Sequence, residues 1–301
     1  MSEPMKGVLA MAFACTVWGL SAMYYKAVAH IPALEVLAHR TIWSGVFFFG
    51  LLAWQGRVGL VPKLLTSKGV RLVFLAALMI SVNWFFYIHS IQVGRAIEAS
   101  LGYFIFPLIA VLLGAIGFGE RLGRAQWFAV FLATLAVLVL TVGLGAAPWI
   151  ALLLASTFGI YGLIKRQIPS GPVVSVAAEV CLLAPLALAW LFAVHMGYVG
   201  SGGGAFGRGW FDTIMLAFSG IITGGPLMLM SYAMKRVRLA TVGLVQYINP
   251  SLQFLVATFI FAEPVTVWHL MAFGLIWSGL AIYSISALRE ENRRRAVVVA
   301  V

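Results

Sequence analysis

Along most of this chain apolar residues run in stretches of span length, separated by short breaks where Gly, Pro, Lys and Arg gather. About 20 mostly apolar residues cross the ~30 Å of hydrocarbon in a bilayer. Such runs lie at residues 5–28, 33–54, 71–92, 96–118, 124–144, 147–164, 172–196, 210–232, 239–262 and 266–287. The pattern predicts an all-α integral membrane protein with ten transmembrane helices. A membrane barrel would show alternating segments of about ten residues instead, and runs such as Trp43 to Ala53 do not alternate. What remains outside the spans is too short for a large soluble domain.

The second half of the pattern repeats the first. At an offset of 143 residues, Arg95, Leu101, Pro107, Phe118, Glu120, Ala129 and Leu132 meet Arg238, Leu244, Pro250, Phe261, Glu263, Ala272 and Leu275. An offset of 140 extends the match upstream, pairing Gly19 with Gly159, Lys26 with Arg166 and Pro32 with Pro172. The expected organisation is two five-helix repeats, residues 1–146 and 147–301. Five is odd, so the second repeat crosses the membrane inverted relative to the first, an arrangement common among secondary transporters.

Composition supports the membrane reading: 62% of residues are hydrophobic and 10% charged, with a mean hydropathy of +1.02, outside the soluble range. Charge sets an expected orientation. With both termini inside, sixteen Lys and Arg fall on the inner side, and only Lys26, Arg95 and Arg208 occupy outer loops. The net charge of +11 is spread over short loops, so its expected partners are anionic lipid headgroups rather than nucleic acid. The two cysteines, Cys15 and Cys181, lie within apolar runs and read as small buried hydrophobes. The first apolar run reaches full span length, so a cleaved signal peptide is not expected.

Polar residues within spans face the bundle interior. The third span offers Asn83, Trp84 and Tyr87, and the fourth offers Tyr103. Its repeat mate, the ninth, offers Gln246, Tyr247 and Asn249; Trp18 and Tyr161 come from the first and sixth. Together they form a candidate substrate site for a small amphipathic or zwitterionic solute. Pro107 and Pro250 each free a carbonyl four residues back and are candidate hinges. Glu35, His39 and Arg40 lie in the first turns of the second span, with Glu35 and His39 spaced for pairing. Arg40 either holds a substrate carboxylate or pairs with Glu35 or Glu98, the ion pair being the plainer reading. Glu179, aligned with His39 across the repeat, is a candidate for proton coupling, against a structural hydrogen-bonded glutamate. Glu120 and Glu263 read as markers of helix ends. The glycine-rich stretch Gly197–Gly209 ends in no phosphate-loop Gly-Lys-Ser/Thr and reads as a flexible connector. No catalytic or metal-ligand spacing appears, so no cofactor, metal or enzymatic activity is expected.

Several ordered motifs carry a family resemblance. They are Lys6-Gly7-Val8 before Trp18-Gly19, His30-Ile31-Pro32-Ala33-Leu34-Glu35, Ala38-His39-Arg40 with Trp43-Ser44, and Asn83-Trp84. The series continues with Glu98-Ala99-Ser100-Leu101-Gly102-Tyr103-Phe104, Gln246-Tyr247-Ile248-Asn249-Pro250 and Phe261-Ala262-Glu263. Over its whole length the chain resembles the RarD-type branch of the drug/metabolite transporter superfamily. The resemblance implies two EamA-like repeats, cytoplasmic termini, and a cavity lined mainly by the first, third, fourth, sixth, eighth and ninth spans. The expected function is export of neutral or aromatic amino acids or similar metabolites from a bacterium across its inner membrane, by a monomer or homodimer. An uptake permease or a drug or nucleotide-sugar carrier of the same fold is the alternative. A non-transporting intramembrane enzyme or scaffold is the reading from another class.

Overall fold

A computed structural model describes residues 2–119, 122–199, 203–237 and 239–299. Glu120, Arg121 and Arg238, which entered the repeat and charge arguments, lie outside these residues, as do Gly200, Ser201 and Gly202 of the glycine-rich stretch. The first half comprises α1 (Glu3–Ala27), α2 (Ala33–Trp54), α3 (Leu60–Leu65), α4 (Val70–Gln92), α5 (Ala96–Phe118) and α6 (Arg124–Leu144). The second half comprises α7 (Trp149–Gln167), α8 (Pro172–His195), α9 (Trp210–Met234), α10 (Leu239–Gln246), α11 (Ile248–Leu255) and α12 (Val267–Val299). Nine of the described helices are long and apolar enough to cross a membrane.

The tenth expected span, 239–262, is not one helix. It is divided into α10, α11 and a π turn, Val256–Ile260. At Tyr247 the amide turns back to Leu244 O at 3.2 Å, closing α10 with a tighter bond than the helical one. Pro250 then falls in the first turn of α11, where a helix has no internal use for its N–H. By contrast, Pro107 sits inside the unbroken α5. The short α3, which no span pattern anticipated, packs beside α8.

Helical backbone bonds satisfy most of each span from within, as hydrocarbon requires. Large apolar side chains such as Phe13, Phe131, Leu186 and Phe259 point outward from the bundle, the surface of a protein solvated by lipid. Inside, small residues bring helix backbones together. A Cβ on Gly102 of α5 would lie 2.8 Å from Ala151 O of α7, and one on Gly220 of α9 would overlap the Trp43 carbonyl of α2. The main core joins α1, α4, α5, α7 and α12 around Tyr25, Phe104 and Phe273. A second lies between α2, α4 and α8 around Phe48.

The ends of α1, α7 and α9 bearing Lys6, Lys165, Arg166 and Lys235 mark one face of the bundle, the basic face. Side-chain bonds tie the opposite face. Tyr24 donates to Met215 O at 2.6 Å, and Gln92 donates to Ile31 O at 2.9 Å. Glu263 accepts the first two amides of α5, Ala96 N at 2.7 Å and Ile97 N at 2.8 Å. The carboxylate therefore does more than mark the end of its own span: it caps another helix, where the exposed N–H groups and the helix dipole both favour an anion.

Candidate functional site

A cavity of about 630 Å³ lies among α1, α2, α4, α5, α7, α8, α9, α10, α11 and α12. Its lining begins on α1, where Trp18, Ser21 and Tyr25 follow one another at helical spacing. Ser21 Oγ donates to Trp18 O at 2.6 Å and lies 3.4 Å from the Tyr87 hydroxyl. Tyr25, Tyr87 and Tyr103 meet edge to face in series, with centroids 5.7 and 5.6 Å apart, the packing that the ring quadrupole prefers. Phe158 and Tyr161 of α7 stack at 6.0 Å and extend this wall.

The walls from α5 and from α10–α11 stand at matching repeat positions. Tyr103, Phe106, Pro107 and Ala110 line the cavity on one side; Gln246, Asn249, Pro250 and Gln253, each 143 residues later, line it on the other. The first set is aromatic and apolar, the second carries three amides. Tyr247 also lines the cavity, its ring stacked with that of Phe104 at 6.4 Å. Gln253 was not singled out from the sequence, although it stands four residues beyond Asn249 and seven beyond Gln246, a spacing that places all three on one face. Its Nε2 donates to Asn249 Oδ1 at 2.9 Å, and its Oε1 has no hydrogen-bond partner among the described residues.

Arg40 reaches the cavity from α2. Its Nε donates to Thr223 Oγ1 at 2.9 Å, and Nη1 donates to the Tyr25 hydroxyl at 2.7 Å. The guanidinium lies 3.8 Å from the centre of the Trp84 ring, a cation–π contact. The expected pairing with Glu35 or Glu98 is not made. Glu35 Oε1 accepts Ala205 N at 2.6 Å, while Glu98 pairs with Arg95 and caps Ile150 N at 2.8 Å. Carboxylates in the first turns of spans two and four thus serve backbone amides that no local spacing could reveal.

Four of the residues expected at the site stand outside the lining. Asn83 is wholly buried behind Tyr103: its amide donates to Leu154 O at 2.9 Å and Thr157 Oγ1 at 3.0 Å, and its carbonyl accepts the Tyr103 hydroxyl at 2.9 Å. Glu35 and His39 do not pair with each other. His39 stacks on Phe206 at 5.0 Å, and Trp43 lies 5.9 Å from the same ring. The described part of the glycine-rich connector therefore packs onto α2 through Ala205 and Phe206, where a flexible link was expected. Glu179 forms an ion pair with Lys165 at 2.5 Å and accepts from Ser175 and Tyr161; Lys165 also donates to Ser175. The sequence aligned Glu179 with His39 but gave no sign that Lys165, at the end of the preceding helix, would reach it. Tyr161 separates this cluster from the cavity.

A cavity of this size, inside a bundle of spans and lined from both halves of the chain, fits a multi-pass membrane transporter. Comparison with known proteins agrees. Residues 5–142 match the EamA-like transporter family. The chain is 40% identical to the protein RarD of Streptomyces exfoliatus over 301 residues, covering 98% of this chain and 93% of the relative. It is 36% identical to the uncharacterized transporter YojE of Bacillus subtilis (strain 168) over 299 residues, 98% and 99% of the two chains. A solved crystal structure, 19% identical, superposes with a TM-score of 0.59 over 95% of this chain and 98% of the other, and so shares the fold. The chain belongs to the EamA-like transporter family, in the RarD-like branch of the drug/metabolite transporter superfamily.

Proposed function

We propose that this protein exports small amphipathic metabolites, neutral and aromatic amino acids foremost, across a bacterial inner membrane. The observation that carries the reading is the pair of repeat-equivalent walls, Tyr103, Phe106, Pro107 and Ala110 facing Gln246, Asn249, Pro250 and Gln253. One wall offers apolar and ring surface, the other offers amide donors and acceptors, so a solute with an apolar side chain and a polar head is held on both sides. Trp18, Trp84, Tyr87, Tyr161 and Tyr247 complete the contact surface. Losing one such ring contact costs about 1 kcal/mol.

The two halves, 1–146 and 147–301, are taken as inverted repeats that exchange roles, with Pro107 and Pro250 marking the bending regions. The positive-inside bias supports a cytoplasmic position for the basic face. The lining includes Arg166, in the basic last turn of α7, and this supports loading from the cytoplasm. Glu179 is assigned to proton coupling through Tyr161: Glu179→Gln should remove the pH dependence of flux, and a retained pH response would discard that role. The protein is a carrier in this reading, acting as a monomer or homodimer.

Counterflow in proteoliposomes tests the function. Vesicles preloaded with unlabelled phenylalanine should accumulate labelled phenylalanine and leucine, and Tyr247→Ala should weaken accumulation several-fold. No counterflow of any amino acid, alongside robust counterflow of a sugar or nucleotide conjugate, would overturn the substrate class. Single cysteines at Lys68 and Gly203 test the orientation: in intact cells an impermeant thiol reagent should spare the first and label the second.

A further inference from the structure

Arg40 is a buried cation that no acidic side chain among the described residues neutralises. It is 6% exposed, and its partners are a threonine hydroxyl, a tyrosine hydroxyl and an indole face. Thr223 is itself oriented by donating to Ser219 O at 2.9 Å, so its lone pair is presented to Arg40. These neutral partners fix the guanidinium in place without cancelling its charge. A charge within the bilayer is costly unless paired, and the surrounding contacts leave guanidinium donors unused beside the cavity. The Lys165–Glu179 pair, in contrast, is neutral as a unit.

A second group points the same way. Gln253 is 2% exposed and lines the same cavity, and its Oε1 is an acceptor with no donor among the described residues. A buried carbonyl oxygen left unsatisfied is costly; the atom itself is covered, so an N–H of the solute reaches it by a turn of the side chain that lines the space. Its neighbour Asn249 occupies the Nε2 end of the amide, fixing which end is free.

We propose that Arg40 anchors a carboxylate of the transported solute and that Gln253 receives a hydrogen-bond donor from the same molecule. The site then selects carboxylates, above all those also bearing an ammonium group, over neutral compounds of equal shape. This inference rests on the transport reading above and assigns the polar contacts that set its specificity. One positive charge at this end of the cavity matches one carboxylate. A phosphate monoester, with up to two negative charges, is the poorer match.

Calorimetric titration of the purified protein in lipid nanodiscs tests this with four probes: L-phenylalanine, its amide, 3-phenylpropionate and phenethylamine. All share the ring; only the first and third carry a carboxylate. The amide and the amine should bind at least about tenfold more weakly than phenylalanine, the loss expected for one charge-assisted bond. Arg40→Gln should abolish that preference, and Arg40→Lys should restore part of it. Gln253→Leu should bring phenylalanine down to the level of 3-phenylpropionate and leave the latter unchanged. If Arg40→Gln does not fold, the wild-type series still decides, because it varies the ligand alone. Equal affinity for phenylalanine and its amide overturns the Arg40 anchor and leaves amino-acid transport standing. Binding of 3-phenylpropionate without phenylalanine keeps the anchor and discards the amino-acid class. Failure of all four probes to bind overturns both.

Discussion

Glu263 is the group whose removal should most change how the bundle closes. Its carboxylate accepts Ala96 N at 2.7 Å and Ile97 N at 2.8 Å, joining the chain beyond the π turn to the start of α5 on the face opposite the basic one. A hydrogen bond to a charged group contributes about 1.5–3 kcal/mol net. Both bonds end on one partly buried carboxylate, and water replaces part of them when it leaves, as at other helix caps. A loss of about 2 kcal/mol for Glu263→Ala is the reasonable figure, which corresponds to about a thirtyfold shift toward an open face. Glu263→Gln keeps one acceptor and gives up the charge, so its effect should fall between wild type and Ala. The assay is the labelling rate of Ser21→Cys, a position lining the cavity, in a background lacking Cys15 and Cys181. An impermeant maleimide is applied from the face opposite the basic one. Labelling should rise more than tenfold in Glu263→Ala and less in Glu263→Gln. An unchanged rate in a well-folded Glu263→Ala protein would refute the view that this cap holds the face shut.

Ala262 holds φ at +52°, and the residue 143 positions earlier, Gly119, holds +64°. A side chain in this left-handed region costs about 1 kcal/mol, so Ala262→Gly should raise the thermal midpoint by about 2 °C; a lower midpoint would show that the strain is not felt. Gly220→Val should drive α9 away from the Trp43 carbonyl and lower stability by about 1–3 kcal/mol or more, while Gly225→Ala, with nothing within 4 Å of its Cβ, should be neutral in the same melt. Lys165→Met leaves Glu179 unpaired inside the bundle and should cost about 3–5 kcal/mol, most of which returns when Glu179→Leu is added. Equal stability of the single and double variants would show that the ion pair is not what the lysine supplies.

The spans were legible because the bilayer leaves one solution for each. An apolar run must be helical and about 20 residues long, so the bounds 96–118 and 124–144 expected from composition match α5 and α6 as found. The cavity wall was legible where identical offsets repeated a polar position, as at Tyr103 and Gln246. What stayed hidden depends on partners far apart in sequence. Glu35 with Ala205, Glu98 with Ile150 and Glu263 with Ala96 are each carboxylates that find a helix or loop amide in another part of the chain. An i,i+4 spacing such as that of Glu35 and His39 is an opportunity for pairing, and a backbone N–H without another acceptor competes with it. The broken tenth span was half legible: Pro250 announced a disturbance, but the break comes at Tyr247, three residues earlier. Pro107 sits in the same register of α5 and breaks nothing, so the proline alone does not determine the joint.

That joint turns part of a span into a lever. The pieces α10 and α11 have eight residues each, about 12 Å at 1.5 Å per residue. A rotation of about 10° at Tyr247 therefore carries the far end of either piece through about 2 Å, while the helical bonds within the piece stay intact. The π turn supplies a second pivot at the other end of α11, so Asn249, Pro250 and Gln253 ride on a short rod held at both ends by deformable backbone. In α5 the same displacement would have to be drawn from a continuous ladder of hydrogen bonds. One wall of the cavity is thus jointed and the other continuous, so the amide side bends at its breaks and the aromatic side only at its proline.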